Sequence, residues 1–147
     1  MIYYKNIKRE NGVPEHMSNE ELIQRLNQIG VNTEQAIARF MGNEMLYLSF
    51  IKRFPEVVNI EKLYSTLENG DEEAFYGLIH TLKGTAGNLG LNQVFECTNA
   101  ILVELRTSHL KQTKKIKGLL QEIQSEGKQF ADMLREYEQD IARRENE

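Results

Sequence analysis

The chain has 147 residues, 27% of them charged, with a formal net charge of −4, a length that suits one ordinary domain with a real core. The acidic balance excludes a broad basic field for nucleic acid or anionic lipid, so the expected partner is a protein or a small ligand. The single cysteine, Cys97, excludes an internal disulfide, belongs to no metal-binding spacing and fits a reducing compartment, with the cytoplasm as the expected location.

Residues 1–18 begin "MIYYKNIKRENGVPEHM"; polar, aperiodic and without the apolar core of a signal peptide, they read as a loosely ordered N-terminal arm. No later run approaches the roughly 20 apolar residues that span a bilayer. Only Pro14 and Pro55 interrupt the chain, and alternating β-branched strands are absent, so the predicted class is all-α. "EELIQRLNQIG" puts Leu22, Ile23, Leu26 and Ile29 on one helical face, with Gly30 as its stop. "VNTEQAIARFMG" restarts at Asn32 or Thr33 and ends at Gly42, with Ala36, Ile37 and Phe40 inward. Asn43 caps "EMLYLSFIKRF", whose dense apolar positions Leu46, Leu48, Phe50, Ile51 and Phe54 predict a largely buried helix. Because Val57, Ile60, Leu63, Tyr64 and Leu67 resume the period, Pro55 is expected to kink this helix rather than end it. Asn69 and Gly70 stop it, and Asp71 caps a helix over about 72–89 that turns at "LGLN" into another over about 92–107. Val94, Cys97 or Thr98, Ile101, Leu102 and Leu105 face inward there. The last helix carries Ile116, Leu119 or Leu120, Ile123, Gly127, Phe130, Leu134, Tyr137 and Ile141 at steps of three and four. Gly127 on that stripe is expected to admit a neighbouring helix closely. Four long segments on short turns predict an antiparallel up-down four-helix bundle over 19–147, with one or two short N-terminal helices covering an end.

Within the helix over 72–89, "HTLKGTAGNLG" spends three of its eleven positions on glycine. At about 100° per residue, with His80 at zero, Lys83 falls near −60°, Gly84 near +40°, Gly87 near −20°, Gly77 near +60° and Tyr76 near −40°. Phe75, Leu78, Leu82, Ala86 and Leu89 cluster on the opposite side, so the histidine faces water. Each interior glycine costs a helix roughly 0.5 to 1 kcal/mol relative to alanine, and three around one imidazole leave a flat patch open to another molecule. An imidazole, neutral to a large extent near pH 7, is a nucleophile that needs no separate base and can carry a transferable phosphoryl group. Lys83, one turn away, is placed to neutralise its oxygens.

These residues resemble the signature of histidine-containing phosphotransfer (HPt) domains, of the form His-x-Leu-Lys-Gly followed by small residues and Leu-Gly. "RFMGNEMLYLSFIKRF" and "ENGDEEAFYGLIHTLKG" resemble the segments that precede it, so the likeness covers roughly 30–140. It implies that His80 is phosphorylated, that Lys83 steadies the phosphoryl oxygens and that Gly84 is kept bare for docking. It also implies a multistep phosphorelay of two-component signalling. The group comes from and goes to an aspartate of response-regulator receiver domains or a hybrid sensor kinase, with magnesium held by the receiver. The chain is then a phosphoryl carrier with no cofactor or metal of its own, expected to be monomeric, with Tyr76, Gly77, Gly84 and Gly87 as further docking candidates. Family members often face the histidine with a polar residue from the next helix. Spacing offers Leu102 there, and Arg106, one turn on, is either its substitute or an exposed arginine near a helix end.

Two other readings compete: a phosphorylation-independent helical adaptor, and a chemotaxis-type domain phosphorylated by an ATP-binding kinase. The chain has no glycine-rich nucleotide loop and too little length to be that kinase itself. His16 and His109 are expected to face solvent, Cys97 to pack as a small apolar residue, and Met41, Met45 and Met133 to fill core or rim. "KQTKKIK" reads as a solvated start of the last helix, with a weak contact to an acidic receiver as its other use.

Overall fold

Helix starts along this chain are set by side chains that accept amide groups the first turn leaves unpaired. Ser18, Asn32, Asn43, Asn59 and Asp71 each accept from the backbone N–H three residues on. They open α1 (Asn19–Gln28), α2 (Thr33–Arg39), α3 (Glu44–Val57), α4 (Ile60–Glu68) and α5 (Glu72–Leu89). α6 (Asn92–Ser108) starts without a side-chain cap, and a 3-10 turn (His109–Gln112) leads into α7 (Thr113–Glu145). The computed structural model describes residues 18–145. The predicted arm therefore lies outside the described residues apart from Ser18, which is the N-cap of α1 rather than part of an arm.

The described chain is an all-α bundle, with one isolated bridge between Val31 and Leu91 and no strand among the described residues. α5 packs on α4 and α6, α6 on α7, and α7 back on α4, which closes an up-down four-helix ring. α3 lies against α5 and α7, and α2 against α5. At about 1.5 Å per residue α7 is roughly 50 Å long, enough to run beyond the ring to α3 and α1. Its Glu136 accepts from Arg25 of α1 at 2.9 Å. The inward side of α7 is built from Ile116, Leu120, Ile123, Phe130, Leu134 and Tyr137. The predicted close approach at Gly127 does not occur, since a Cβ there would meet nothing within 4 Å.

Pro55 ends a helix rather than kinking one. It has no N–H to donate to the carbonyl of Ile51, α3 stops at Val57, and Val58 turns extended before Asn59 caps a separate α4. The predicted helix running through Pro55 is thus two helices. α3 is also amphipathic rather than largely buried. Tyr47, Leu48, Ile51 and Phe54 are buried, whereas Leu46 is 44% and Phe50 41% exposed. The pattern missed Tyr47, whose hydroxyl satisfies itself by donating to Leu89 O at 2.8 Å. Met41, 96% exposed, and Met45, also exposed, fill no core, while Met133 packs against it half-buried.

The join that fixes α5 against α2 is Gly90. Its φ of +75° is left-handed, and a Cβ there would stand 2.5 Å from Asn32 O. Only glycine meets both demands. The same approach lets the Asn32 amide donate to Gly90 O at 2.9 Å.

Candidate functional site

α5 turns its apolar residues inward, with Phe75, Ile79, Leu82, Ala86 and Leu89 buried, and this rotation carries His80 to the exposed side. The imidazole makes no side-chain hydrogen bond among the described residues; its ring stacks on Tyr76, centroids 6.2 Å apart and planes 21° from parallel. A Cβ at Gly77 or at Gly84 would meet nothing within 4 Å, so neither glycine is required by packing. Gly87 differs, because a Cβ there would touch the ring of Phe95 at 3.4 Å, an ordinary contact.

His80 shares an open cavity of about 470 Å³ with Lys83, Gly84 and Gly87, as the wheel predicts, and with Arg39, Asn88, Asn92 and Phe95. Lys83 is half-buried and holds its ammonium over the Phe95 ring, 5.4 Å from the centroid. That contact keeps a cation beside the cavity at small cost. Arg39 donates from Nη1 to Gly87 O at 2.9 Å and to Asn88 O at 3.3 Å, adding a side-chain partner for carbonyls in the last turn of α5. Asn92 Nδ2 donates to Gly30 O at 3.2 Å. Sequence reasoning missed these four residues. Arg39 and the α6 pair reach the histidine only through helix packing, while Asn88, near +80° on the wheel, was within reach of the same arithmetic.

Tyr76 touches the histidine but neither it nor Gly77 lines the cavity. Arg106 is exposed and stands apart from the cavity. Phe95 lies beside Gly87, and α6 runs antiparallel to α5, so Arg106 falls roughly 16 Å further along α6, about one turn past the level of His80. Leu102, at that level, is buried in the core and faces no solvent-exposed ring.

The remaining titratable groups stand elsewhere. Cys97 packs in the core as expected, and its Sγ donates to Glu122 Oε2 at 3.1 Å. Burial first, then the carboxylates of Glu122, Glu126 and Glu96, pushes its thiol up to about 12, so it stays protonated and unreactive. Burial, and secondarily Glu122, holds the Glu126 carboxyl above the usual range. Burial raises the Tyr47 hydroxyl further still, with Arg39 opposing it. His109 is exposed, as expected, and pairs through Nδ1 with Glu72 at 2.8 Å; His16 lies outside the described residues. Of the basic run, Lys115 binds the nearly buried Glu104 at 3.0 Å. Among the described residues no group of three or more His, Cys, Asp and Glu could hold a metal ion, and no helix is long and apolar enough to cross a membrane.

No protein-family model, curated protein or solved structure matches this chain.

Proposed function

We propose that the chain is a histidine phosphotransfer protein of the HPt type, in which His80 accepts a phosphoryl group from a receiver-domain aspartate and passes it to another. The observation that carries this reading is an imidazole with no side-chain hydrogen bond among the described residues, in a clearing of glycines, beside an ammonium parked on an aromatic ring. An exposed helix face gains nothing in stability from Gly77 and Gly84, whereas a phosphoryl donor needs a straight approach to the ring.

In the transfer, a ring nitrogen of neutral His80 attacks the phosphorus of the receiver's aspartyl phosphate. The N–P bond forms as the P–O bond to the aspartyl oxygen breaks, and the aspartate leaves as a carboxylate. The proton on the other ring nitrogen passes to water. Nε2, at the outer end of the ring, is the less hindered nucleophile. Lys83 balances charge on the equatorial oxygens, and the receiver supplies magnesium. Onward transfer reverses these bonds with a second aspartate.

Incubation with a ³²P-labelled phosphoreceiver tests the reading. An acid-labile, alkali-stable label on the wild type that is absent from His80→Gln is the expected result. Receiver binding unchanged in His80→Gln, with no label on either protein, contradicts it in favour of the adaptor.

A further inference from the structure

Among the described residues, most of the exposed large apolar side chains lie on α3, to one side of the histidine. Leu46, Phe50, Arg53 and Val57 follow one another at steps of four, three and four, so they form a single stripe along the helix. Leu46, Phe50 and Val57 (50%) are exposed. Phe50, Arg53 and Val57 open on a groove of about 500 Å³, closed on the α5 side by Thr85 and Asn88. The ring of Phe40, 5.4 Å from that of Phe50, forms part of its wall.

Arg39 and Arg53 both line this groove. Arg53 lies over the Phe50 ring at 5.5 Å. Neither arginine has a carboxylate within 4.0 Å among the described residues, although Arg25, Arg135 and Arg143 all do. An apolar stripe at knob spacing fits another helix, and two guanidinium groups beside it that have no carboxylate partner among the described residues fit carboxylates. A second copy of this chain is a poor occupant, because a two-fold interface sets the same surface against itself, cations included.

The groove is fastened to the helix that carries His80. Arg39 holds the carbonyls of Gly87 and Asn88, and Tyr47 holds that of Leu89. Arg39 and Asn88 line both the groove and the histidine cavity, and Thr85 lies roughly 7.5 Å along α5 from His80.

We propose that this α3 groove docks an acidic amphipathic helix of a partner protein, its apolar residues seated on Phe50 and Val57 and its carboxylates on Arg39 and Arg53. The site stands independently of phosphotransfer, and a partner anchored there lies beside His80.

The probe is a fluorescein-labelled synthetic helical peptide with leucines at steps of three and four and glutamates elsewhere, read by fluorescence anisotropy. A matched peptide with lysine in place of glutamate is the comparison. The acidic peptide is expected to bind the wild type and a remote Lys128→Glu variant alike, and Arg53→Glu and Val57→Glu at least about tenfold more weakly. Circular dichroism melts establish that the variants fold; if Val57→Glu does not, the exposed Arg53→Glu carries the test. Failure of the acidic peptide to bind, equal affinity for the lysine peptide, or undiminished binding by folded Arg53→Glu overturns the proposal. So does a concentration-dependent dimer, seen by sedimentation, that Val57→Glu abolishes. Peptide binding without any phosphoryl label contradicts only the phosphotransfer reading.

Discussion

On one side of α5, Phe75, Ile79, Leu82, Ala86 and Leu89 pack into the core; on the other, Gly77, His80 and Gly84 stand in solvent with nothing against the glycines. The inward side follows the ordinary rule that buried apolar area stabilises a helix. The outward side breaks the rule for an exposed helix surface, where alanine, glutamate or lysine would be more stable than glycine. No neighbour excludes a Cβ at Gly77 or Gly84. The difference teaches that the buried side is shaped for stability and the exposed glycines are not, and on the phosphotransfer reading that side is kept open for access, so that one helix serves both by a half-turn of rotation.

The largest expected effect lies on the buried side. Ile79 is fully buried, and Ile79→Ala should cost about 2 to 5 kcal/mol through lost burial and a cavity, read as a fall in the urea midpoint. A loss below about 1 kcal/mol would remove the contrast between the two sides. Tyr47→Phe comes next. It deletes the buried hydroxyl bonded to Leu89 O and should cost about 1 kcal/mol. That result would sharpen the comparison by showing that α3 holds the end of α5.

On the exposed side the sign reverses. Gly77→Ala and Gly84→Ala should each stabilise the bundle by about 0.5 to 1 kcal/mol, raising the melting temperature by roughly 2 to 4 °C per kcal/mol. A lower melting temperature would mean that the clearing has a packing role. The smallest effect is expected away from α5, at Glu126, where burial beside Glu122 raises the carboxyl above its unfolded value. Folding therefore favours its protonated form, and its favourable contribution, present below the unfolded pKa, is lost as pH rises through the folded one. Glu126→Gln should melt slightly higher than wild type at pH 7, with the gain fading as pH falls to about 4. A gain independent of pH would contradict the assignment.

Much of the contrast is legible in the sequence, because a helix wheel needs only the order of residues. It places His80, Gly77, Gly84 and Gly87 on one side and Phe75, Leu82 and Ala86 on the other, and the capping residues Asn32, Asn43 and Asp71 give the starts of α2, α3 and α5. What the order hides is approach between helices. Arg39 reaches α5 across a gap of 48 residues, and Phe95 comes under Lys83 only once α5 and α6 pair in their register. Arg106 shows the same limit from the other side, since spacing along α6 rightly sets Leu102 at the level of His80 and Arg106 one turn beyond it, but only the packing shows that Arg106 stands apart from the cavity. Pro55 was ambiguous for a local reason, because an apolar period that resumes after a proline does not distinguish a bent helix from two successive ones. Leu46 and Phe50 illustrate a third limit: α3 has more large apolar residues than one face can bury, and the pattern does not say which are left outside.

The most direct test of the central claim is the rate of phosphoryl transfer from a receiver to Gly84→Gln, measured on protein whose melt shows it folded. Because a side chain at position 84 projects into open space beside His80, transfer should slow at least about tenfold, by obstruction of the in-line approach, while the melting temperature holds or rises. Transfer at the wild-type rate in the folded variant would contradict the account.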